Sequence, residues 1–473
     1  MRVNALLVAA TALGPQLGAA AGSAASASKM EELMNIKTQQ WDEARAQGLF
    51  GGSLLYRKIT SRQRCINGVA GKGNAAYHCN NVDLHGFLSH EDLGSSTKAG
   101  NDVWGWTSPD GREFGIVGQT DGVGFVEITR NGNLEYLGRL DTQTTATSWR
   151  DIKVIGHHAY IGAESEDHGL QIFDLNKLLS VKPWWNPFFW RPRVFKKDRD
   201  LTAHFSGFGA SHNLVAHEEA KVIYAVGGRS GANARNTTCA GGMFVVDVSD
   251  PANPVSPGCI AQDGYVHDAQ CVVYTGPTEK YRDRQICFNF NEETLTIMDV
   301  TDKKAPVVIS RTAYDGATYT HQGWLVDDTM TFLLLDDEQD EQKGTGPAGD
   351  GHTTTYIFNV TNLEAPINTG IYKSPTKSID HNQYVVKGLS YQANYGSGLR
   401  VVDVSGVELD PTGGNFEEVG FFDCHPEDDE EGGVLKFLGT WSVYPNFKSG
   451  YILLNSIERG IFSLKYTGRK AKY

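Results

Sequence analysis

The sequence predicts an all-β fold, a seven-bladed β-propeller, and two observations support this prediction. The first is a recurring segment of the form VVDVSD, and internal repeats spaced by tens of residues are typical of propellers and solenoids. Its clearest copies are residues 243–255 (MFVVDVSDPANPV), 294–307 (TLTIMDVTDKKAPV), 354–367 (TTYIFNVTNLEAPI) and 398–406 (GLRVVDVSG). The second is the abundance of glycine, 53 of 473 residues, which favours short strands separated by tight turns.

The number of blades follows from the starts of the predicted innermost strands. These starts lie near Asp102, Trp149, His212, His267, His321, His381 and Trp441. Each interval of roughly 45–65 residues has room for four short strands, which is the content of one blade. The last interval offers only three strands. A three-stranded blade would leave an open sheet edge, which closed propellers avoid. We therefore expect the strand 53–59 (SLLYRKI) to complete the last blade and to join the two ends of the chain.

Three segments precede the propeller, which is predicted to cover residues 102–473. Residues 1–27 have the pattern of a secretory signal peptide, with Arg2, a short apolar run and small residues at the end. Residues 28–60 are expected to hold a short helix outside the ring of blades and the closing strand, and residues 61–101 a disulfide-clamped lead-in. The apolar run is too short to cross a bilayer. The chain is thus predicted to be secreted and extracellular, without a transmembrane segment.

The charge of the chain restricts its partners. A formal net charge of −13 argues against nucleic acid or an anionic membrane as the main partner. An extracellular protein or a glycan is the expected partner, and the chain is expected to be a monomer. The sequence contains neither a GxSxG nucleophile motif nor a phosphate-binding loop, so no short motif assigns a reaction.

Seven cysteines in a secreted protein indicate disulfides. Short loops or adjacent strands favour three pairs, although spacing alone leaves other pairings open. The favoured pairs are Cys65 with Cys79, Cys239 with Cys259, and Cys271 with Cys287, and Cys424 is expected to be a buried thiol. Asn236 and Asn359 are acceptors for N-linked glycans in a host that glycosylates.

Several ordered motifs, found from Cys65 to the C-terminus, resemble the choice-of-anchor B proteins, whose repeats are of the LVIVD type. The motifs are SWRDIKVIGHHAYIGAE, DHGLQIFDL, FSGFGASHNL, HDAQCVVYTGP, ICFNFNEETLTIMDVTDK, YTHQGWL and IDHNQYV. The resemblance implies a secreted or surface-attached propeller and no established chemical activity. Many members of this family end in a sorting anchor, whereas this chain ends in the basic, polar SLKYTGRKAKY. We therefore expect a freely secreted member.

Propeller geometry brings the starts of the innermost strands and the ends of the second strands to one mouth of the central channel. The starts contribute Asp151, His212, His267, Asp268, His321, Asp380 and His381. The ends contribute Glu164, Asn291, Glu292, Asp336, Asp337, Glu338 and Asn394. Polar groups that converge in a preformed concavity are the first place to search for function.

The residue types at this mouth suggest a divalent metal. Imidazole with carboxylate suits Zn²⁺ or Mn²⁺, whereas carboxylate with amide oxygens suits Ca²⁺. The predicted metal ligands are His212, His267, Asp268, His321, His381 and Asp336. The alternative is that each histidine braces its strand against the next blade, which repetition in four blades favours. The expected function is a binding or scaffold protein; the alternatives are a metal-dependent hydrolase or lyase at this mouth and a glycan-binding propeller.

Two acidic runs and one aromatic segment complete the candidates. The run 333–352 lacks the calcium-loop pattern of an EF-hand, so its distal residues Asp340 and Glu341 are expected to be solvated. The run 427–433 is expected to be a charged surface loop. The segment 182–197 is expected to be an insertion rather than a strand, with aromatic residues that either bind a partner or a glycan or fold over the blade edges. These residues are Trp184, Trp185, Phe188, Phe189 and Trp190.

Overall fold

Seven antiparallel sheets surround a central channel and confirm the predicted seven-bladed propeller. The computed structural model describes residues 16–181 and 191–473. The innermost strands of blades 1 to 7 are Gly100–Thr107, Arg150–Ile155, Asn213–His217, Asp268–Val273, Thr320–Leu325, Asn382–Val386 and Thr440–Tyr444. The second strands are Glu113–Gln119, His158–Ala163, Val222–Val226, Gln285–Phe290, Phe332–Asp337, Leu389–Ala393 and Tyr451–Ser456.

The third and fourth strands complete the blades toward the rim. The third strands are Gly122–Ile128, Leu170–Asp174, Met243–Asp247, Leu295–Asp299, His352–Asn359, Leu399–Asp403 and Gly460–Tyr466. The fourth strands are Leu134–Asp141, Ala203–Phe205, Val255–Ile260, Val307–Thr312, Ile367–Lys377, Glu417–Phe422 and Val82–Ser89.

Two blades carry additional strands at the rim. Blade 6 gains Tyr77–Asn80 and Val69–Ala70, which lie beside its fourth strand. Blade 1 gains Arg193–Phe195, which pairs in parallel with Leu134–Asp141. Part of the segment 182–197 is therefore a strand, and the prediction of an insertion alone was wrong there. The five aromatic residues of that segment lie outside the described residues: Trp184, Trp185, Phe188, Phe189 and Trp190.

The repeated VVDVSD segment forms the third strand of a blade and the turn that ends it. Its acidic or amide residue accepts a hydrogen bond from the backbone N–H two residues later, at 2.8–3.2 Å in four blades. Such Asx turns stop a strand because the side chain takes the place of a ladder partner. The residues concerned are Asp247, Asp299, Asn359 and Asp403.

The last blade is closed by a strand from the N-terminal part of the chain, as predicted, but not by residues 53–59. Val82–Ser89 pairs with Gly460–Tyr466, with Val82 opposite Tyr466 and Ser89 opposite Gly460. In contrast, Gly52–Leu54 is a 3₁₀ turn, and Ile59 makes a single bridge to Phe87. All eight residues of Val82–Ser89 are buried, so this position requires a strand that tolerates burial on both faces. The segment 53–59 carries two adjacent basic residues and does not meet that requirement.

Three disulfides join the pairs that the spacing favours. Cys65 bonds to Cys79, Cys239 to Cys259, and Cys271 to Cys287. The last bond links directly opposed positions of the two inner strands of blade 4. Cys424 is a buried free thiol whose pKa is raised by burial, so it is unreactive at neutral pH.

Helices are few, and one of them covers an end of the channel. The long helix Gln16–Ala46 buries a stripe at helical spacing, formed by Met30, Leu33, Lys37, Trp41 and Ala44. Within the described ranges, no helix is both long and apolar enough to span a bilayer. The 3₁₀ segments are Gly52–Leu54, Gly73–Ala75, Leu175–Ser180, Gly231–Asn233, Glu279–Tyr281, Gly346–Asp350 and Pro426–Glu431.

The short helix Asp340–Lys343 corrects the prediction for the acidic run 333–352. Its first two residues, Asp340 and Glu341, are buried rather than solvated. The phenol of Tyr356 donates to Asp340 (2.7 Å), and the backbone N–H of Thr354 donates to Glu341 (3.0 Å). These contacts draw the run against the third strand of blade 5.

Candidate functional site

One mouth of the channel is lined by six ring side chains, one from each of blades 2 to 7. Each stands at the start of an innermost strand, and we call the set the channel ring. Its members are Trp149, His212, His267, His321, His381 and Trp441. Neighbouring ring centroids are 4.2–4.9 Å apart from His212 around to Trp441. The four predicted histidines therefore converge at one place.

Two histidines of the channel ring bond to backbone carbonyls of neighbouring blades through Nδ1. His267 Nδ1 lies 2.8 Å from the carbonyl of His321, and His381 Nδ1 lies 2.5 Å from the carbonyl of Trp441. A carbonyl only accepts, so Nδ1 carries the proton and Nε2 is left as an acceptor. Burial lowers the pKa of His267 and His321, and that of His381 to about 4, so these rings are neutral. His267 and His381 are thus inter-blade braces with an unprotonated Nε2, whereas Nδ1 of His321 has no hydrogen-bond partner among the described residues.

Glu338, at the end of the second strand of blade 5, faces two of these nitrogens. Its Oε2 lies 3.6 Å from His321 Nε2, and its Oε1 lies 3.5 Å from His381 Nε2. Ligand atoms of the three residues lie within 4.8 Å of one another. No described residue forms a hydrogen bond with Oε2. Two imidazole nitrogens and one carboxylate are a donor set that suits Zn²⁺ or Mn²⁺.

A lysine from the N-terminal helix occupies the other side of Glu338. Lys37 Nζ lies 2.6 Å from Glu338 Oε1, and the phenol of Tyr395 donates to the same oxygen. The side chains of Lys37 and Glu338 are 2% and 0% exposed. The ammonium lies 5.2 Å from the Phe437 ring centroid and 5.5 Å from that of Trp441. The chain therefore supplies its own cation to this carboxylate.

The same helix closes the mouth with an indole. The ring of Trp41 lies 5.3 Å from Trp149 and 6.1 Å from Trp441, and its Nε1–H donates to the carbonyl of Phe437 (2.7 Å). Met30 adds a contact with the phenol of Tyr319 at 3.4 Å. A ligand that enters from this side must displace the helix.

The next layer of the channel contains carboxylates that brace the blades. Lys153 Nζ lies 2.8 Å from both oxygens of Asp151 and 3.9 Å from Asp102. Asp151 accepts from the backbone N–H of Leu214 in blade 3 (2.6 Å), and Asp102 accepts from that of Ile152 in blade 2 (2.9 Å). A cavity of about 10 Å³, room for one water molecule, separates this layer from the channel ring.

Asp268, a predicted metal ligand, belongs to this second layer. It lines the small cavity together with His212, His321 and His381. Burial raises the pKa of Asp268 to about 7, against the opposing effect of Lys153. Asp268 is therefore close to the histidines without belonging to the three-residue donor set around Glu338.

The far end of the channel opens into an aromatic cavity of about 230 Å³. It is lined by residues of the innermost strands of blades 1 to 5, among them Trp104, Gln270 and Trp324, and by Glu218 at the edge. Tyr384 lies between the two indoles, with ring centroids 5.7 Å from Trp104 and 5.0 Å from Trp324. The two ends of the channel thus differ, because one is filled by the helix and the other is open.

Three of the predicted mouth residues make contacts of their own beside the channel ring. Glu164 accepts from His212 Nδ1 and from Arg229, both at 2.9 Å. Glu292 accepts from Arg235 at 2.8 Å, and burial raises its pKa to about 7. Asn291 holds the turn that follows its strand through hydrogen bonds to the next residues.

The other predicted mouth residues lie between blades 5 and 6 or within blade 6. Asp336, a predicted ligand, accepts from Gln383 of blade 6 at 2.6 Å and does not join the histidines. Asp337 accepts backbone N–H groups of the loop before the innermost strand of blade 5, at 2.7 and 2.8 Å. Asn394 stays within its own blade, and Asp380 is buried beside His381.

The sequence did not predict the roles of two important residues. Glu338 was expected at the mouth but not as a ligand, and Lys37 was not expected there at all. A signal for Lys37 exists, because it falls on the apolar stripe of the helix between Leu33 and Trp41. A lysine on such a stripe needs a buried anion, which points to a partner elsewhere in the fold.

The candidate glycan acceptors differ in access. Asn236 is exposed, and Asn359 is half-buried at the end of its strand with Oδ1 bonded to the N–H of Thr361 (3.0 Å).

Comparison with known proteins identifies one copy of the repeat. Residues 239–259 match the profile of the LVIVD repeat. Among solved structures, the β-propeller domain of Cps50 (Swd1) from Myceliophteria thermophila aligns with a TM-score of 0.46 and 11% sequence identity, over 78% of this chain and 97% of that chain. No curated protein matches the sequence.

Proposed function

We propose that this chain is a secreted choice-of-anchor B protein that acts as a monomeric binding or scaffold module, and that it binds a glycan at the open end of its channel. The observation that carries the proposal is the difference between the two channel ends. The N-terminal helix fills one end with Lys37 and Trp41, whereas the other end is an aromatic cavity of about 230 Å³. A concave site with apolar walls and a few polar groups is the usual form of a small-ligand site.

The lining of the open cavity favours a sugar ring. Trp104 and Trp324 are only half-buried, and such indoles offer flat apolar faces. Gln270 and Glu218 add hydrogen-bonding groups at the wall and edge. Gln270 Oε1 already accepts from the backbone N–H of Leu325 (2.8 Å), which holds the side chain in place. A saccharide unit with one apolar face and several hydroxyls matches this combination.

Secretion is supported by two independent features. The first 27 residues have the composition of a signal peptide. The three disulfides are consistent with an oxidising compartment. Cleavage near residue 27 would leave Lys37 and Trp41 in the mature chain, so the closed mouth is compatible with processing.

Glycan binding is tested with the purified full chain on a glycan array, followed by titration of the strongest ligand. We expect Trp324→Ala and Trp104→Ala each to weaken binding by about fivefold or more, since stacking on an aromatic side chain contributes about 1–3 kcal/mol. Tyr473→Ala, an exposed aromatic residue far from the cavity, is the matched control and should bind as the unmodified chain does. If both tryptophan variants bind the ligand as tightly as the unmodified chain does, with unchanged melting temperatures, this site is refuted.

A second candidate function is a divalent metal held by His321, Glu338 and His381. Its support is the unpaired Oε2 of Glu338, which lies 3.6 Å from His321 Nε2, together with the 3.5 Å distance between Glu338 Oε1 and His381 Nε2. The bound ion would need to compete with Lys37 for the carboxylate of Glu338. Such an ion would act as a Lewis acid, which is the basis of the hydrolase or lyase alternative. The test is Zn²⁺ titration of the full chain and of His321→Ala. Absence of stoichiometric Zn²⁺ or Mn²⁺ uptake, even by the Lys37→Met variant, would rule the metal out.

A further inference from the structure

Two histidines and one aspartate meet at one end of blade 2. His157 lies with Gly156 in the two-residue turn between the first and second strands, and His158 begins the second strand. Asp174 ends the third strand and lies opposite His158 in the strand register. One ligand atom from each of these three residues lies within 4.8 Å of the other two. We call His157, His158 and Asp174 the blade 2 cluster; it is separate from the donor set around Glu338.

The two imidazoles of the blade 2 cluster have free nitrogens. Their ring centroids are 4.4 Å apart, and neither side chain forms a hydrogen bond within the described part of the chain. His157 is exposed, and His158 is half-buried. Burial and the neighbouring His157 lower the pKa of His158, so its ring is neutral at pH 7. A neutral imidazole with a free nitrogen is the form that binds a metal ion.

The carboxylate of Asp174 also has an oxygen available. Its Oδ1 accepts from the backbone N–H of Asn176 (2.9 Å), which is the Asx turn that recurs after the third strands. No hydrogen bond or ion pair from a described residue engages Oδ2. Lys177, three positions later, donates instead to the carbonyl of Asp200 (2.6 Å). An ion at this carboxylate therefore meets no competing ammonium, whereas at Glu338 it does.

The other blades build the equivalent position differently. The residue opposite the Asx-turn residue is apolar in blades 3 to 6, where it is Val222, Ile286, Phe332 and Leu389. In blade 4, Arg284 pairs with Asp299 (2.6 Å), and in blade 6, Arg469 pairs with Asp403. Among the described residues, no arginine pairs with Asp174. The turn is therefore common to the repeats, but the two imidazoles beside an unpaired carboxylate are particular to blade 2.

We propose that the blade 2 cluster is a zinc site, with one nitrogen from each of His157 and His158 and one oxygen of Asp174 as ligands and water in the remaining position. Two imidazoles, one carboxylate and an open position form a common donor set of Zn²⁺, whereas Ca²⁺ and Mg²⁺ prefer oxygen ligands. Bonds of about 2.0–2.2 Å to the metal require ligand atoms roughly 3–3.5 Å apart. The exposed side chain of His157 turns inward to meet this requirement, which no hydrogen bond opposes.

The experiment is zinc titration by calorimetry at pH 7, with the full chain after treatment with EDTA and buffer exchange. His157→Ala and His158→Ala should each weaken zinc binding at this site by about tenfold or more, since even loss of a residue that supports a metal ligand costs about 10–100-fold. His204→Ala is the matched control. It replaces an exposed histidine of the same blade whose Nε2 is bonded to the carbonyl of His168 (2.8 Å).

Replacement of the carboxylate gives a variant that keeps the fold. Asp174→Asn retains an oxygen for the Asx turn, as Asn359 does in blade 5, so its melting temperature without zinc should stay that of the unmodified chain. Its zinc binding should weaken by about tenfold or more, because an amide is a poorer ligand than a carboxylate. Zinc should raise the melting temperature of the unmodified chain more than that of this variant.

A second readout locates the ion. Diethyl pyrocarbonate should modify the exposed His157 in the metal-free chain, and zinc should protect this residue when the products are mapped by mass spectrometry. His321→Ala in the channel should leave that protection unchanged, which distinguishes the two candidate metal sites. The proposal is overturned if His157 is not protected, or if His157→Ala binds zinc as tightly as His204→Ala does. Tighter binding of Ca²⁺ than of Zn²⁺ at the blade 2 cluster overturns the assignment of zinc.

Discussion

Replacement of Lys37 by methionine tests whether the N-terminal helix is an integral plug of the channel. The variant keeps most of the volume and the apolar stem of the side chain but removes the ammonium that lies 2.6 Å from Glu338. Both side chains are at most 2% exposed, so water cannot take the place of the lost charge. Removing one member of a buried pair typically costs about 3–5 kcal/mol, because the other charge is left buried and unpaired. We expect a loss of this size in the free energy of unfolding at pH 7.

The assay is urea denaturation followed by tryptophan fluorescence, since Trp41, Trp149 and Trp441 lie around the plug. The double variant Lys37→Met with Glu338→Gln should recover much of the loss, because no buried charge remains. Lys29→Met is the matched control on the same helix. Its partner Glu293 is 50% exposed at 3.4 Å, so the change should cost less than about 1 kcal/mol. A loss below about 1 kcal/mol for Lys37→Met, or no recovery in the double variant, would contradict the idea that this pair holds the plug in place.

Three further predictions concern other parts of the fold. Burial lowers the pKa of His90 to about 4, so between pH 6.5 and 4 the unfolded chain binds a proton that the folded chain does not, and the free energy of unfolding should fall by up to about 3 kcal/mol over this range. In urea titrations His90→Gln should flatten this pH dependence, and an unchanged slope would contradict the prediction. Phe87→Ala, in the strand that closes blade 7, should lower the free energy of unfolding by about 3–5 kcal/mol, whereas Leu55→Ala, at a half-exposed position in the segment first expected to close the blade, should lower it by less than about 1 kcal/mol. The reverse order of the two variants in thermal melts would disprove the observed closure. Replacement of both Cys239 and Cys259 with serine removes a disulfide that closes a loop of 20 residues, and the free energy of unfolding should fall by roughly 3 kcal/mol. An unchanged melting temperature would show that this bond does not stabilise blade 3.

The fold was largely predictable because its signals are local. The Asx turns after the third strands depend on residues two positions apart, such as Asp299 and Thr301, and recur in each repeat. The positions of His212, His267, His321 and His381 follow from the same period, since each precedes or begins an innermost strand. The strand that closes the ring was misplaced because two candidate segments have strand-like patterns. Burial on both faces distinguishes them, and burial depends on neighbours from other blades.

The candidate site was predictable only in part. Convergence of the histidines follows from the order of strands, but the role of each nitrogen depends on carbonyls in the next blade. Asp336 and His321 were expected to share one ion, yet Asp336 is paired with Gln322 in the strand register and its carboxylate accepts from Gln383. Asp340 and Glu341 were expected in solvent because their composition is that of a solvated loop. Their burial results from packing against Tyr356 and the backbone at Thr354.

Local patterns along this chain suffice for the repeat, the number of blades and the position of the histidines, because each depends on residues near one another in the sequence. Only the tertiary structure determines what closes one mouth of the channel and leaves the other mouth open. Lys37 and Glu338 are 301 positions apart, and Trp41 and Phe437 are 396 apart. No local pattern specifies such partners, since a buried charge becomes favourable only where the folded chain brings the opposite charge to it. The closed mouth and the open aromatic cavity are therefore properties of the assembled ring.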